Sequence, residues 1–121
     1  MNAARHRSTA EILDDHLRES QVGSVDVDLA RNYATDLIVL TSRGVFRGHE
    51  GLRRLAQHLR EELPSASFEY LTRLVEGELG LLEWTARAEG SGVDDGADSY
   101  LIREGRIVGQ TIHYTVRSLC G

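Results

Sequence analysis

With 121 residues the chain has room for one domain, spanning 1–121, and 40% hydrophobic against 27% charged residues describes a globular protein able to bury an interior. A net charge of −5 offers no basic footprint for a nucleic-acid backbone, and Arg5-His6-Arg7 reads as a solvated tail. No apolar run approaches the roughly 18 residues of a membrane span, and the N-terminus lacks the apolar segment of a signal peptide, so the expected location is cytoplasmic. The lone cysteine, Cys120, cannot close an internal disulfide and reads as a frayed thiol.

Ser8-Thr9-Ala10-Glu11 places a capping residue three positions before a glutamate, and Ile12, Leu13 and Leu17 follow on one face. A first helix therefore runs from about Ser8 to about Gln21, stopped by Gly23. A short second helix follows in VDVDLARNYATD, with Leu29, Ala30 and Tyr33 on its inner side. DLIVLT changes to β-branched strand chemistry. Ser42-Arg43-Gly44 is a tight turn, Val45-Phe46 pairs back as a hairpin arm, and Gly48 ends the sheet. Leu52, Leu55, Leu59 and Leu63 then recur at three and four residues, which predicts a third helix stopped by Pro64. Four β-rich segments close the chain: SFEYLTRLVE, LGLLEWTARAE, ADSYLIRE and RIVGQTIHYTVR. Glu76-Gly77-Glu78, GSGVDDG and Glu104-Gly105 are read as their connections. The fold class is α+β: three N-terminal helices packed on a strongly curved antiparallel sheet of consecutive hairpins, forming a cone or α+β barrel.

This order, with LARNYATDLIVLTSRGVFRGHEGLRRL, LEWTARAEG and DSYLIREGRIVGQTIHYTVR, resembles the SnoaL-like and ketosteroid-isomerase-like branch of the nuclear-transport-factor-like superfamily over residues 8 to 117. The Tyr33-Ala34-x-Asp36 step, the Gly48-His49-Glu50 helix start and the Gly105-Arg106-Ile107 turn carry the resemblance together. It implies an apolar cavity between sheet and helices. In the ketosteroid isomerases a carboxylate at the end of the first strand moves the proton. Thr41 falls there, and a hydroxyl lacks that basicity. Their oxyanion tyrosine on the first helix corresponds to His16 or Leu17. Their second oxyanion donor, an acid kept neutral by an apolar site, falls on Asp98. The Asp-Arg-Asp set of the family's epoxide hydrolases is not visible.

Strand alternation adds its own reading. Val108, Gln110, Ile112, Tyr114 and Val116 share the more apolar face of the last strand and should line the cavity. Ile107, Gly109, Thr111, His113 and Thr115 face outward, where a second copy of the chain is expected to pack and form a homodimer. Leu82, Trp84, Ala86 and Ala88 point inward, as do Asp98, Tyr100 and Ile102, so an acid sits among aromatics and aliphatics, where ionisation is costly. Asp98 is then either an acid or oxyanion donor, or a turn-capping carboxylate. His16 is either a base or a satisfied core histidine. The ligand contacts are Trp84, Tyr100, Tyr114, Gln110, Thr41, Tyr33, Leu82 and Ile112. Asp36 is expected to bond backbone at a helix-to-strand corner, His49 to serve the helix entry, His58 to face water and His113 to serve a subunit contact. The DDGAD run lacks the spacing of a calcium loop, so no metal and no cofactor are expected. Two functions remain open. One is binding of a small, mainly apolar polycyclic or carbonyl ligand without a complete catalytic set. The other is acid–base catalysis of isomerase, cyclase or dehydratase type with Asp98 as acid and His16 as base.

Overall fold

The computed structural model describes residues 7–119, so Arg5, His6 and Cys120 lie outside the described residues. Helix α1 (Thr9–Val22) begins at a complete capping box: the Ser8 hydroxyl accepts from the Glu11 N–H, and the Glu11 carboxylate accepts from the Ser8 N–H. A cap of this kind contributes about 1 kcal/mol. Ser24 caps α2 (Val25–Asn32) by accepting from Asp26 and Val27. The inner side of α2 differs from expectation: Asp28, Leu29 and Asn32 are buried, whereas Ala30 is exposed. The helix also ends earlier. Asn32 turns its side chain toward α1, and Tyr33 is already extended at φ −113°, ψ 136°, so strand β1 spans Tyr33–Thr41.

Strand β2 (Gly44–Arg47) pairs back on β1 across Ser42-Arg43, and the Thr41 hydroxyl pins the turn by accepting from the Arg43 N–H. Gly48 at φ 68° redirects the chain into α3 (Gly48–Glu62), whose Leu52 and Leu55 are buried, with Leu63 just beyond. Gly51 is buried where α3 crosses β2, and a Cβ there would lie 3.1 Å from the Phe46 carbonyl carbon. The remaining strands are β3 (Ser67–Glu76), β4 (Leu79–Ala88), β5 (Ser91–Arg103), β6 (Arg106–His113) and the short β7 (Arg117–Ser118). Glu104 and Gly105, both at positive φ, make the reversal whose twist suits a two-residue hairpin.

Three expectations are corrected. The segment GSGVDDG is not a loop: the chain turns at Glu89-Gly90, and the rest runs inside β5. Gly96 serves packing, since a Cβ there would lie 2.2 Å from the ring of Trp84, its cross-strand partner. The sheet is mixed, in the order β2-β1-β6-β5-β4-β3, because β1 enters between its hairpin partner and β6 and runs parallel to β6. It is also open, with β2 and β3 at its edges, rather than a closed barrel. The fold is thus α+β, with three helices and a curved mixed sheet.

The core joins Ile12, Leu13, Leu29, Leu37, Val39, Val93 and Ile107. Ile107 was expected outside. The register between β5 and β6 passes from Leu101↔Gly109 to Ile102↔Ile107, leaving Val108 unpaired, and that extra residue lets both Ile107 and Gln110 face inward. Thr111 and His113 do face out, as do Ile38, Leu40 and Leu79. His58 departs from its expected water face by packing edge-on against Phe46, with ring centroids 6.2 Å apart. Asp36 lies exposed within β1 rather than at a corner, and the His49 ring donates to the Tyr33 carbonyl. No helix among the described residues is long and apolar enough to cross a membrane.

Candidate functional site

Between α1, α3 and the inner face of the sheet lies a cavity of about 510 Å³. Leu17, Leu52, Leu55, Leu59, Phe68 and Leu82 supply its apolar walls, and Gln21, Gly23, Arg60 and Ser65 are its exposed end. Its polar part is built by residues from four elements: His16 on α1, Asp28 on α2, Asp98 and Tyr100 on β5, and Gln110 on β6. All five side chains are buried.

They form one continuous hydrogen-bonded path. The Asp28 Oδ2 stands 2.7 Å from His16 Nδ1, and Asp28 Oδ1 accepts from the Asn32 amide at 2.8 Å. The carboxylate therefore holds the proton on Nδ1 and turns Nε2 toward the sheet. There Nε2 lies 3.3 Å from the Tyr100 hydroxyl, which in turn lies 3.0 Å from Asp98 Oδ2. Asp98 also accepts from the Trp84 indole at 2.9 Å and from the Gln110 amide at 3.4 Å. The Tyr33 hydroxyl donates to Gln110 Oε1 at 2.6 Å, which fixes the amide with its nitrogen toward Asp98. Two arrangements of one proton satisfy this path. In the first, His16 is doubly protonated and Tyr100 donates to an Asp98 carboxylate. In the second, Asp98 is neutral and donates to Tyr100, which donates to Nε2. The Tyr100 hydroxyl is the relay between them.

Burial pushes the Asp98 carboxyl above its ordinary range, against the opposing pull of Trp84, Tyr100, His16 and Gln110. Burial first, and then the charge of Asp98, holds the Tyr100 phenol well above its usual value, and burial with Asp28 and Asp98 does the same for Tyr33. Both phenols therefore act in the path as neutral hydroxyls.

Behind Asp28, the Asn32 amide also donates to Asp15 at 2.9 Å, and Asp15 is met by Arg18 at 2.8 Å, by Arg7 at 3.7 Å and by Arg31. Burial would raise the Asp15 carboxyl, but the bonds from Asn32 and Arg18 and the charges of Arg31 and Arg18 outweigh it and hold it low.

Of the residues singled out from sequence, His16, Asp98, Trp84, Tyr100, Gln110, Tyr33, Leu82 and Ile112 line this one cavity. Thr41 and Tyr114 do not. Thr41 is spent on the β1–β2 turn, and the Tyr114 hydroxyl donates to Glu62 at 2.6 Å, its ring against Trp84. Tyr33 does reach the cavity, but from the start of β1 rather than from α2. Asp28 and Asn32 were missed because only apolar residues were assigned to the helix's inner side, where Leu29 and Tyr33 are indeed buried but Ala30 is not. The spacing of four between Asp28 and Asn32 was the available signal, since it sets two polar side chains on one face.

Helices laid across a curved mixed sheet, with a cavity between, define the α+β fold of nuclear-transport-factor-like proteins. Residues 15–110 match the SnoaL-like domain family, and the chain belongs to it. No curated protein matches the sequence. Among solved structures, the chain is similar to an NTF-2 like protein of unknown function from Burkholderia xenovorans LB400, at TM-score 0.73 and 22% identity over 88% of this chain and 82% of that one. A candidate polyketide cyclase from Sinorhizobium meliloti superposes at TM-score 0.69 with 22% identity, covering 84% of this chain and 93% of that one. A candidate isomerase of the SnoaL-like family from Agrobacterium tumefaciens gives TM-score 0.69 and 16% identity over 88% and 97%. At these identities the likeness carries the fold.

Proposed function

We propose that the chain is an acid–base catalyst for a small, mainly apolar carbonyl compound held in the cavity, of isomerase or cyclase type. The observation that carries this reading is the path itself: a histidine oriented by a carboxylate and a buried acid, both on one cavity, joined through Tyr100. Relatives of the same fold named for cyclase and isomerase chemistry support it.

With the mobile proton on Asp98, a ligand carbonyl oxygen takes over the hydrogen bond that this acid otherwise gives Tyr100, and His16 Nε2, released from the Tyr100 hydroxyl, removes a proton from the adjacent carbon. The C–H electron pair moves into an enolate, whose oxygen is stabilised by Asp98 in an apolar surrounding. Return of the proton from His16 to a different carbon completes an isomerisation. Attack of the enolate carbon on a second carbonyl of the same molecule, whose oxygen then takes the proton, completes a ring closure. Neither route needs an oxidant or a reductant.

The test is deuterium uptake next to the carbonyl in a panel of cyclic ketones and diketones, followed by proton NMR in heavy water. The wild-type protein should accelerate uptake, and His16→Gln and Asp98→Leu should each lose on the order of 10²–10⁴ of the acceleration. Uptake no faster than in buffer, from ketones that do bind, would leave the cavity a binding site. One observation favours that second reading: both Asp98 oxygens are engaged by Trp84, Tyr100 and Gln110 before any ligand enters.

A further inference from the structure

The cavity is electrically lopsided. Its inner part carries the carboxyls of Asp28 and Asp98, and Glu19 on its lining is already paired with Arg31. Arg60, in the last turn of α3 at the exposed end, is the one cationic side chain on the lining apart from the His16 ring. Most arginines of the molecule are taken: Arg7, Arg18 and Arg31 meet Asp15, Arg43 meets Glu62, Arg53 meets Asp26, and Arg54 lies over the Phe46 ring. Arg60 has no such partner among the described residues. Its neighbours on the preceding turn of α3 are Ala56 and Gln57, and Leu63 and Pro64 follow just beyond the helix; none of these could supply a negative charge.

We infer that the ligand of this cavity carries one anionic substituent, remote from its reacting carbonyl, and that Arg60 receives it. The inference rests on the cavity being the ligand site, not on the proton transfer proposed for it. Polarity sets the orientation. An anion at the inner end would face Asp28 and Asp98 in a poorly solvated space, whereas at the outer end it meets a guanidinium and remains hydrated. Leu17, Leu55, Leu59 and Phe68 supply apolar wall for the body of the ligand. On a chain of net charge −5, which repels anions at long range, a local cation is what an anionic ligand requires.

Two probes with the same aromatic body separate charge from shape: anilinonaphthalene sulfonate and the uncharged N-phenylnaphthylamine. Trp84, the only tryptophan, lies on the cavity, so energy transfer from it reports binding there. The wild-type protein should bind the sulfonate more tightly than the neutral probe by about fivefold, a modest ratio because Arg60 is exposed, and salt should shrink it. Arg60→Gln should bring the ratio to one or below by weakening the sulfonate alone. Arg47→Gln, at an exposed arginine off the cavity, should change neither affinity. Equal wild-type affinities, or a ratio unchanged in Arg60→Gln, would overturn the inference, as would equal weakening of both probes. Failure of deuterium uptake would leave this ratio intact. Absence of Trp84 transfer to either probe would sink the cavity reading and this inference together.

Discussion

Asp15 and Asp98 are the same residue type and both nearly out of reach of water, 4% and 8% exposed, but Asp15 lies just beneath the surface and Asp98 deep, and their carboxyls are displaced in opposite directions. Burial raises both. Around Asp15 the charges of Arg18 and Arg31, themselves partly in water, add to the bonds from Asn32 and Arg18 and win. Around Asp98 the direct donors are an indole, a phenol and an amide, all neutral, and burial wins. Depth and neighbouring charge decide the two states together: Asp15 lies just beneath arginines that reach water, whereas Asp98 lies deep among neutral donors. Asp15 is thereby an anion that ties α1 to α2, while the Asp98 carboxyl sits above its ordinary range.

The most forceful way to break this contrast is to remove the acid on the hydrogen-bonded path and compare it with the one outside it. Asp98→Leu should cost on the order of 10²–10⁴ in deuterium uptake. Asp15→Asn should retain most of the uptake, provided circular dichroism shows the fold intact.

Asn32→Leu attacks the other region. It strips a donor from Asp15 and Asp28 at once, leaving two buried carboxylates short of a bond, and should lower stability in urea by about 3 kcal/mol. Because the same amide holds the carboxylate that orients His16, uptake should fall as well, and Asn32→Gln should not restore it. A variant as stable as wild type would mean that the arginines alone hold Asp15.

Gly96→Ala sharpens the Asp98 side. A methyl group there collides with the Trp84 ring, so the indole must move and its bond to Asp98 must lengthen. Overpacking of this kind costs about 2 kcal/mol. Trp84 emission should shift with it, and the Asp98 carboxyl, having lost one of the bonds that lower it, should titrate higher still by carbon NMR. Unchanged emission would show that the ring has room to yield.

The smallest effect is a sign. Asp98 keeps its proton in the folded chain after the unfolded chain has lost it, so wild-type stability relative to Asp98→Asn should fall as pH rises from the ordinary carboxylate range to the folded value, and level off above. Asp15 behaves oppositely. Its contribution should be complete above the ordinary carboxylate range and lost as pH drops toward its depressed value. Urea titrations of both variants from acid to neutral pH check this, and slopes of equal sign would remove the contrast.

Much of the fold was legible because its signals are local. The Ser8–Glu11 box, the leucine spacing of α3, Pro64 and the Glu104-Gly105 reversal each act within a few residues. The mixed sheet was not, since pairing of β1 with β6 joins segments some seventy residues apart through no local code. GSGVDDG misled for a physical reason: glycine marks turns, but it also marks places where a large ring must lie flat on a strand. At the site, alternation found Asp98, Tyr100, Trp84 and Gln110, and the first helix's inner face found His16. It could not find Asp28, whose value appears only when α2 folds back beside α1. Thr41 was placed at the site by the resemblance and is held instead by the hairpin turn, while Tyr114, placed by alternation, packs on Trp84 with its hydroxyl given to Glu62.

The unpaired Val108 makes β6 intolerant of a change that no substitution mimics. Exchanging Val108 for another β-forming residue leaves the strand's phase alone, but deleting it would rotate everything on one side of the gap by half a turn. Either Ile107 would leave the interior or Gln110 would leave the cavity, and with Gln110 would go the amide that joins Tyr33 to Asp98. In this strand, length constrains the site as strictly as chemistry does.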